Sequence, residues 1–208
     1  MAYDLEEQES LSEIKAWWEK WGTLILTIVT VACLAAAGMR GWQWYQMKQS
    51  ADAGSLYSLM IQANNNKDQP RVQNIALKLQ EDYAGTAFAG MGALLAAYTA
   101  EQHNKAGEAI KDLQWVIDSK DYPELQTVAA VRLAGIYIDQ GSYEQALNLL
   151  NSIKNLDAEK ALVEDRKGDA YIAMGNKEKA KECWTEALRA CTTTNPLAKI
   201  IEIKLQAL

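Results

Sequence analysis

The residue types that carry most enzyme chemistry are scarce in this 208-residue sequence. His103 is the single histidine, which excludes any zinc site that needs two. One histidine would suffice for a simple serine triad, but His103 lies in the polar turn Gln102-His103-Asn104-Lys105 and is expected to be solvated. Gly90-Met91-Gly92 lies inside an Ala-rich helical run, where close helix packing explains the glycines better than a phosphate loop does. We therefore predict no catalytic residue, no cofactor, no metal and no small-molecule substrate, that is, a protein that is not an enzyme.

The cysteines and the paired carboxylates also indicate structure rather than chemistry. Cys183 and Cys191 are eight residues apart on or near one helix. That spacing is about 12 Å along the axis, too far for a disulfide in a straight helix. Together with Cys33 they are interpreted as buried thiols, and three free cysteines mildly disfavour an oxidising compartment. Glu81-Asp82 and Glu164-Asp165 are adjacent in sequence, so on a helix they point in different directions and are interpreted as solvated.

An uncharged stretch of nineteen residues, Trp21 to Met39, lies between Lys20 and Arg40. As a helix it is about 28 Å long, which matches a hydrocarbon core of about 30 Å. Aromatic side chains mark both ends, as they do at the lipid headgroups: Trp17, Trp18, Trp21, Trp42, Trp44 and Tyr45. We predict one transmembrane anchor over residues 21–45, with membrane lipid as its surroundings.

Three other interpretations of this stretch are weaker. A cleaved signal peptide would use Ala35-Ala36-Ala37, but the twenty residues before the stretch are acidic, whereas a signal peptide begins short and basic. A lipoprotein anchor at Cys33 lacks the usual residues before the cysteine, and a soluble core helix would have a polar face. The flanking basic residues tie at two each, and the free amino group then favours an acidic cytoplasmic tail over residues 1–20.

The tail carries its own helix signal. Ser10-Leu11-Ser12-Glu13 has the capping-box pattern, so a helix is predicted to start there. An apolar stripe at helical spacing then fits either a juxtamembrane surface helix or an extension of the membrane helix, and we favour the extension: Leu11, Ile14, Trp18 and Trp21.

A period of 34 residues appears in the last third of the chain. Tyr137 and Tyr171, Gly141 and Gly175, and Ala146 and Ala180 are each 34 apart, which is the tetratricopeptide period of two antiparallel helices. Gly141 and Gly175 are predicted to end the first helix of each pair in a left-handed conformation. Further copies and a cap are predicted at the following places: Ala97, Ala100, Ala109 and Leu113 in one degenerate pair, residues 50–65 and 70–83 in another, and 196–207 in a capping helix.

These patterns predict an all-α fold, a single N-terminal transmembrane helix followed by a tetratricopeptide-like solenoid over residues 50–208. The first 49 residues carry four Lys and Arg against six Asp and Glu, and the rest carry 17 against 21, so no basic footprint for nucleic acid exists. The first helices of such pairs line a concave side. We hypothesise a mixed apolar and acidic groove there for an extended partner segment, formed by Val131, Gly135, Ile138, Asp139, Asp165, Asp169 and Ile172. Alternatively, Ile138 and Ile172 simply complete the core.

The order of parts, and the run Asp165-Arg166-Lys167-Gly168-Asp169-Ala170 continuing through Gly175-Asn176-Lys177 to Trp184, resemble the ancillary SecYEG translocon subunit family of Gram-negative bacteria. The resemblance implies a single-pass inner-membrane protein with a cytoplasmic N-terminus and a periplasmic repeat domain. It also implies association with the Sec translocon and with a membrane-anchored periplasmic chaperone, to help hand over newly translocated proteins. The alternative is a membrane-anchored repeat adaptor for another envelope assembly or a cytoplasmic signalling complex.

Overall fold

The computed structural model describes the backbone of residues 2–153, 159–192 and 195–208, and the side chains of these residues apart from 2–10 and 12. Within these ranges the regular secondary structure is entirely helical, which confirms the predicted all-α class. The helices are α1 (Ala2–Asn65), α2 (Gln69–Asp82), α3 (Ala87–Gln102), α4 (Ala106–Asp118), α5 (Pro123–Asp139), α6 (Tyr143–Ser152), α7 (Lys160–Ala173), α8 (Lys177–Ala190) and α9 (Pro196–Gln206).

The chain divides into two compact units, one up to Gln49 and one from Ser50 to Leu208. In the first unit α1 is long and apolar enough to cross a membrane, and only 6% of its most apolar 18-residue window is buried. That exposure argues against the core helix of a soluble domain. The hydroxyls of Thr27 and Thr30 each donate to the carbonyl four residues back, at 2.7 Å, so these polar side chains are satisfied within the helix.

The N-terminal boundary of α1 differs from the prediction. The capping box at Ser10 predicted a helix start there, but α1 begins at Ala2 and continues without a break to Asn65. The side chain of Ser10 lies outside the described residues. The sequence around Lys48, which the resemblance treated as a short linker, is helical as well. It contains neither Pro nor a turn residue that would stop a helix.

In the second unit, the first helix of each pair ends in the same way. Gly141 and Gly175 have φ values of 75° and 79°, so the left-handed conformation predicted for them is confirmed. After α5, the amides of Gly141 and Ser142 donate to the carbonyls of Ile138 and Tyr137, at 2.9 and 2.8 Å. These two bonds form a Schellman motif, which satisfies carbonyls that the end of a helix leaves free.

Two earlier turns have the same geometry without glycine. Lys67 and Asn104 both have φ of 58°, and the amides that follow them donate back to Ala63 and Ala100. The four left-handed positions are therefore 37, 37 and 34 residues apart along the chain. The described residues accordingly form four helix pairs, α1/α2, α3/α4, α5/α6 and α7/α8, in one common register.

The residues that the period marked as packing positions are buried. Ala134, Ala146 and Leu150 share one core cluster, while Ala180 and Trp184 belong to the last cluster together with Ile201 of α9. The predicted capping helix is confirmed as α9, with Pro196 in its first turn and the Asn195 side chain capping the Leu197 amide at 3.0 Å. A continuous core therefore runs from the first pair to the cap.

The second helices of the first two pairs are joined by a polar network. The buried Asp112 carboxylate on α4 accepts from Gln73 Nε2 at 2.9 Å and from Gln80 Nε2 at 3.0 Å, both on α2. Gln69 adds a bond of 2.8 Å to Glu108. Burial raises the pKa of Asp112 above its ordinary value, although the two glutamine bonds oppose that rise.

Candidate functional site

The first helices of successive pairs form one continuous face of the repeat unit. Helix α3 contacts α5, and α5 contacts α7. Tyr57 of α1 packs against Phe88 of α3, with ring centroids 5.7 Å apart. Two clefts open on this face, and we call them together the first-helix groove. The groove is defined by Tyr57, Met91, Leu94, Leu95, Tyr98, Glu101, Arg132, Gly135, Asp139 and Arg166.

The predicted apolar members of the binding site lie mostly in the core. Val131 is only 2% exposed and packs in the cluster that contains Ala134 and Val163, so it presents no surface to a partner. Ile138 is half-buried against that same cluster, and Ile172 is half-buried against the last one. The structure therefore places Ile138 and Ile172 as the alternative interpretation did, as part of the core packing.

Gly135 and Asp139 do line the groove. They lie on α5 in a polar cleft of about 420 Å³, beside Arg132 of the same helix, Glu101 of α3 and Arg166 of α7. A Cβ atom at Gly135 would lie 3.5 Å from the guanidinium carbon of Arg166, an ordinary contact distance. This position is therefore open enough to carry a side chain.

Asp165 and Asp169 are occupied by a residue of the capping helix. Lys204 Nζ of α9 lies 2.7 and 2.9 Å from the two carboxylate oxygens of Asp165 and 2.7 Å from Oδ1 of Asp169. Asp165 is only 6% exposed, so its interpretation as solvated is wrong. Glu164 beside it is partly buried too, and it pairs with Lys167 at 2.9 Å. These carboxylates hold α9 on α7 and are not free for a partner.

Trp184 completes this junction from α8. Its indole N–H donates to the backbone carbonyl of Asp165 at 3.1 Å, and Lys204 Nζ lies 5.6 Å from the ring centroid. Gly168 of α7 leaves the space that the indole fills, since a Cβ there would lie 2.3 Å from the ring nitrogen. The aspartates, the lysine and the tryptophan together form the attachment of the cap.

The other cleft of the groove is apolar and aromatic. It encloses about 370 Å³ between α1, α3 and α5, and Arg132 lines it as well as the polar cleft. Tyr98 is 47% exposed, which is unusual for a large ring on a packed helix. The remaining lining side chains are half-buried: Tyr57, Met91, Leu94 and Leu95.

Charges in the polar cleft are mixed. Burial raises the pKa of Glu101 above its ordinary value, and Asp139 adds to that effect while Arg132 and Arg166 oppose it. Arg166 Nη1 lies 3.3 Å from Asp169. The ion pairs among the described side chains do not include Arg132, whose Nη1 donates to the carbonyl of Leu94 at 3.3 Å.

Sequence reasoning missed most residues of the groove, although the period carried a signal for them. Arg132 and Arg166 are 34 residues apart and lie nine residues before the left-handed glycines. Tyr98 lies six residues before Asn104, the equivalent of Gly135 before Gly141. Extending the register through the turns that lack glycine would have brought these residues to one face.

The reactive residue types outside the groove have structural surroundings. His103 is exposed after α3, with Nδ1 2.8 Å from the carbonyl of Thr99. Burial raises the pKa of Cys183 to about 11, so its thiol is protonated at neutral pH. Cys183 and Cys191 are partly buried and unbridged, and Cys33 is exposed on α1. Among the described residues, no cluster of three potential metal ligands occurs.

Comparison with known proteins agrees with this architecture. A family model described as a tetratricopeptide repeat-like domain matches residues 15–208. The ancillary SecYEG translocon subunit of Aggregatibacter actinomycetemcomitans is 30% identical, over 90% of this chain and 91% of its own length. That of Haemophilus influenzae is 28% identical with the same coverage, and that of Neisseria gonorrhoeae is 27% identical over the whole of both chains. The chain belongs to the ancillary SecYEG translocon subunit family and carries that family's resemblance as a tetratricopeptide repeat-like protein with one apolar N-terminal helix.

Proposed function

We propose that this chain is a membrane-tethered interaction scaffold that associates with the Sec translocon of the inner membrane. The observation that carries the proposal is the first-helix groove, which combines exposed aromatic and charged side chains in one repeat unit. Such a surface suits binding of a polypeptide. The names of the relatives, ancillary subunits of SecYEG, supply the assembly to which the scaffold belongs.

The proposed arrangement has three parts. Residues 1–20 form the cytoplasmic tail, 21–45 the membrane anchor with its aromatic flank, and 50–208 the periplasmic repeat domain. In this arrangement the repeat domain works beside a membrane-anchored periplasmic chaperone and assists it in handing over newly translocated proteins. Tethering raises the effective concentration of the groove near its clients, so a weak site suffices.

The first test is topology. Single cysteines are placed at Ser10 and at Ser142, in a background in which the three native cysteines are replaced by Ser, and a membrane-impermeant thiol reagent is added to cells with a permeabilised outer membrane. We expect labelling at Ser142 alone. Labelling at Ser10 alone would place the repeats in the cytoplasm and favour the alternative of a cytoplasmic adaptor.

The second test is association. The full chain with an N-terminal tag is purified in mild detergent, and translocon subunits and chaperones are identified in the eluate. We expect translocon subunits with the unchanged chain. A matched sample whose span is replaced by an unrelated transmembrane helix separates contacts of the anchor from those of the repeat unit. Recovery of other envelope proteins in place of translocon subunits would contradict the proposal.

A further inference from the structure

Arg132 occupies a special place in the first-helix groove because it lines both the apolar cleft and the polar cleft. Its side chain is exposed, and its one hydrogen bond among the described residues goes to the carbonyl of Leu94 at 3.3 Å. A guanidinium has five N–H donors in a planar fork, so most of this group is available. The fork matches a carboxylate in two parallel bonds.

The contrast with Arg166 shows why Arg132 is free. The two arginines occupy equivalent positions 34 residues apart in the period. Three residues after Arg166 comes Asp169, whose carboxylate lies 3.3 Å from its Nη1. Three residues after Arg132 comes Gly135, which has no side chain to offer. A helix places residues three apart side by side, so the substitution of glycine for aspartate removes the internal partner.

The apolar cleft beside Arg132 suits one large side chain. Tyr57 is braced by Phe88, and Tyr98 presents an exposed ring at the rim. Aromatic rings of this kind give large contact area with few rotatable bonds. Leu94 forms the wall nearest to Arg132, since its carbonyl accepts the arginine bond.

The polar cleft on the other side of Arg132 limits the charge of what can bind. Glu101 and Asp139 line that cleft. A second carboxylate placed there would face like charges in a partly buried site, and such juxtaposition disfavours a partner. The groove therefore complements one negative charge at Arg132 rather than an acidic run.

We propose that the first-helix groove binds an extended segment of a partner protein in which a large apolar residue lies next to a single carboxylate residue. The apolar side chain enters the cleft between Tyr57 and Tyr98, and the carboxylate pairs with Arg132. This inference rests on the proposed function as an interaction scaffold and defines the chemistry of the segment that the scaffold recognises.

The test uses the full chain in lipid nanodiscs without other proteins, and fluorescein-labelled peptides with Gly-Ser flanks. The peptide centres are Phe-Glu, Phe-Gln, Ala-Glu and Glu-Glu-Glu, and binding is followed by fluorescence anisotropy. We expect the Phe-Glu peptide to bind about tenfold more tightly than each of the other three, because a hydrogen-bonded ionic contact is worth about 1.5–3 kcal/mol and 1.4 kcal/mol is tenfold.

Gly135 offers the sharpest variant. Gly135→Asp gives Arg132 the neighbour that Arg166 already has, and we expect it to weaken the Phe-Glu peptide about tenfold while leaving the Phe-Gln peptide unchanged. Gly135→Asn is the matched control of equal size without charge. Arg132→Gln should act like Gly135→Asp, whereas Arg71→Gln, on the exposed surface of α2, should have no effect.

Several results would overturn the inference. Equal binding of the Phe-Glu and Phe-Gln peptides would remove the carboxylate, and tight binding of the Glu-Glu-Glu peptide would remove the limit on charge. Loss of peptide binding as the protein concentration rises would mean that a second copy occupies the groove. Thermal unfolding by circular dichroism checks that each variant is folded. Because no translocon is present, failure here leaves the topology and association tests of the proposed function standing on their own.

Discussion

Replacing Lys204 by Met tests whether the attachment of the capping helix depends on charge. Met keeps the length of the side chain but removes the ammonium that lies 2.7 Å from Asp165 and 2.7 Å from Asp169. Removing one partner of a buried ion pair costs about 3–5 kcal/mol, since the other charge stays buried and uncompensated. Lys204 is 25% exposed, so we expect a loss near the lower limit, about 3 kcal/mol of unfolding free energy at neutral pH.

The loss should depend on pH in a defined direction. Burial raises the pKa of Asp165 above its ordinary value, and the bonds from Lys204 oppose that rise. Without Lys204 the pKa of Asp165 rises further. A carboxyl whose folded pKa exceeds its unfolded value contributes stability below the unfolded pKa and loses it as the pH rises through the folded pKa. The deficit of the Lys204→Met variant should therefore be greatest at neutral pH and shrink on acidification towards the ordinary range of aspartate, about pH 4.

Urea unfolding of the full chain in detergent, followed by circular dichroism at neutral pH and at about pH 4.5, measures the deficit. Each variant is compared with the unchanged chain at the same pH, so titration of other groups largely cancels. The double variant Asp165→Asn with Lys204→Met supplies the control, because it removes the buried charge and should recover much of the loss. An equal deficit at both pH values, or a double variant as unstable as Lys204→Met, would refute the charge-based account.

Three further predictions concern packing, turns and thiol reactivity. Gly168→Ala places a Cβ 2.3 Å from the Trp184 ring nitrogen, so the ring must move and lose its backbone bond; we expect about 3 kcal/mol of destabilisation in urea unfolding, and a loss below about 0.5 kcal/mol would contradict the packing. Lys67→Gly relieves a left-handed lysine and should stabilise the chain by about 1 kcal/mol in the same assay, whereas Asn104→Gly should change it by less because asparagine tolerates that conformation; a destabilising Lys67→Gly would count against the strain. Cys183, whose pKa burial raises to about 11, should react with iodoacetamide at least about tenfold faster in urea than in the folded chain, as followed by mass spectrometry, and equal rates would contradict its protection.

The sequence predicted the repeat architecture where the turn used glycine and lost precision where it did not. Gly141 and Gly175 signalled the left-handed helix ends directly, and both have positive φ. Lys67 and Asn104 occupy the same conformation, but neither residue type announces it as glycine does. The earlier pairs were therefore predicted from helical spacing alone, and their common register emerged only from the backbone.

The acidic part of the predicted binding site failed for a different physical reason. Asp165 and Asp169 lie on the first helix of a pair, as a groove residue should, but Lys204 follows 39 and 35 residues later and covers them. Neither propensity nor periodicity encodes which side chain of a capping helix will reach back. A pairing of this kind depends on the three-dimensional position of α9, and the sequence alone gave the helix but not its partner.

The free state of Arg132, by contrast, can be argued from sequence once the register is known. Equivalent arginines recur 34 residues apart, and the residue three positions later is Asp169 in one repeat and Gly135 in the other. Helical geometry makes that position the nearest intramolecular partner, and the structure shows the pair at Arg166. The same helix position thus serves packing of the solenoid in the last repeat and leaves a cation exposed in the repeat before it. Recognition of a partner is then concentrated where the repeat departs from its own pattern, and Gly135→Asp, which restores the pattern, is the change that should silence it.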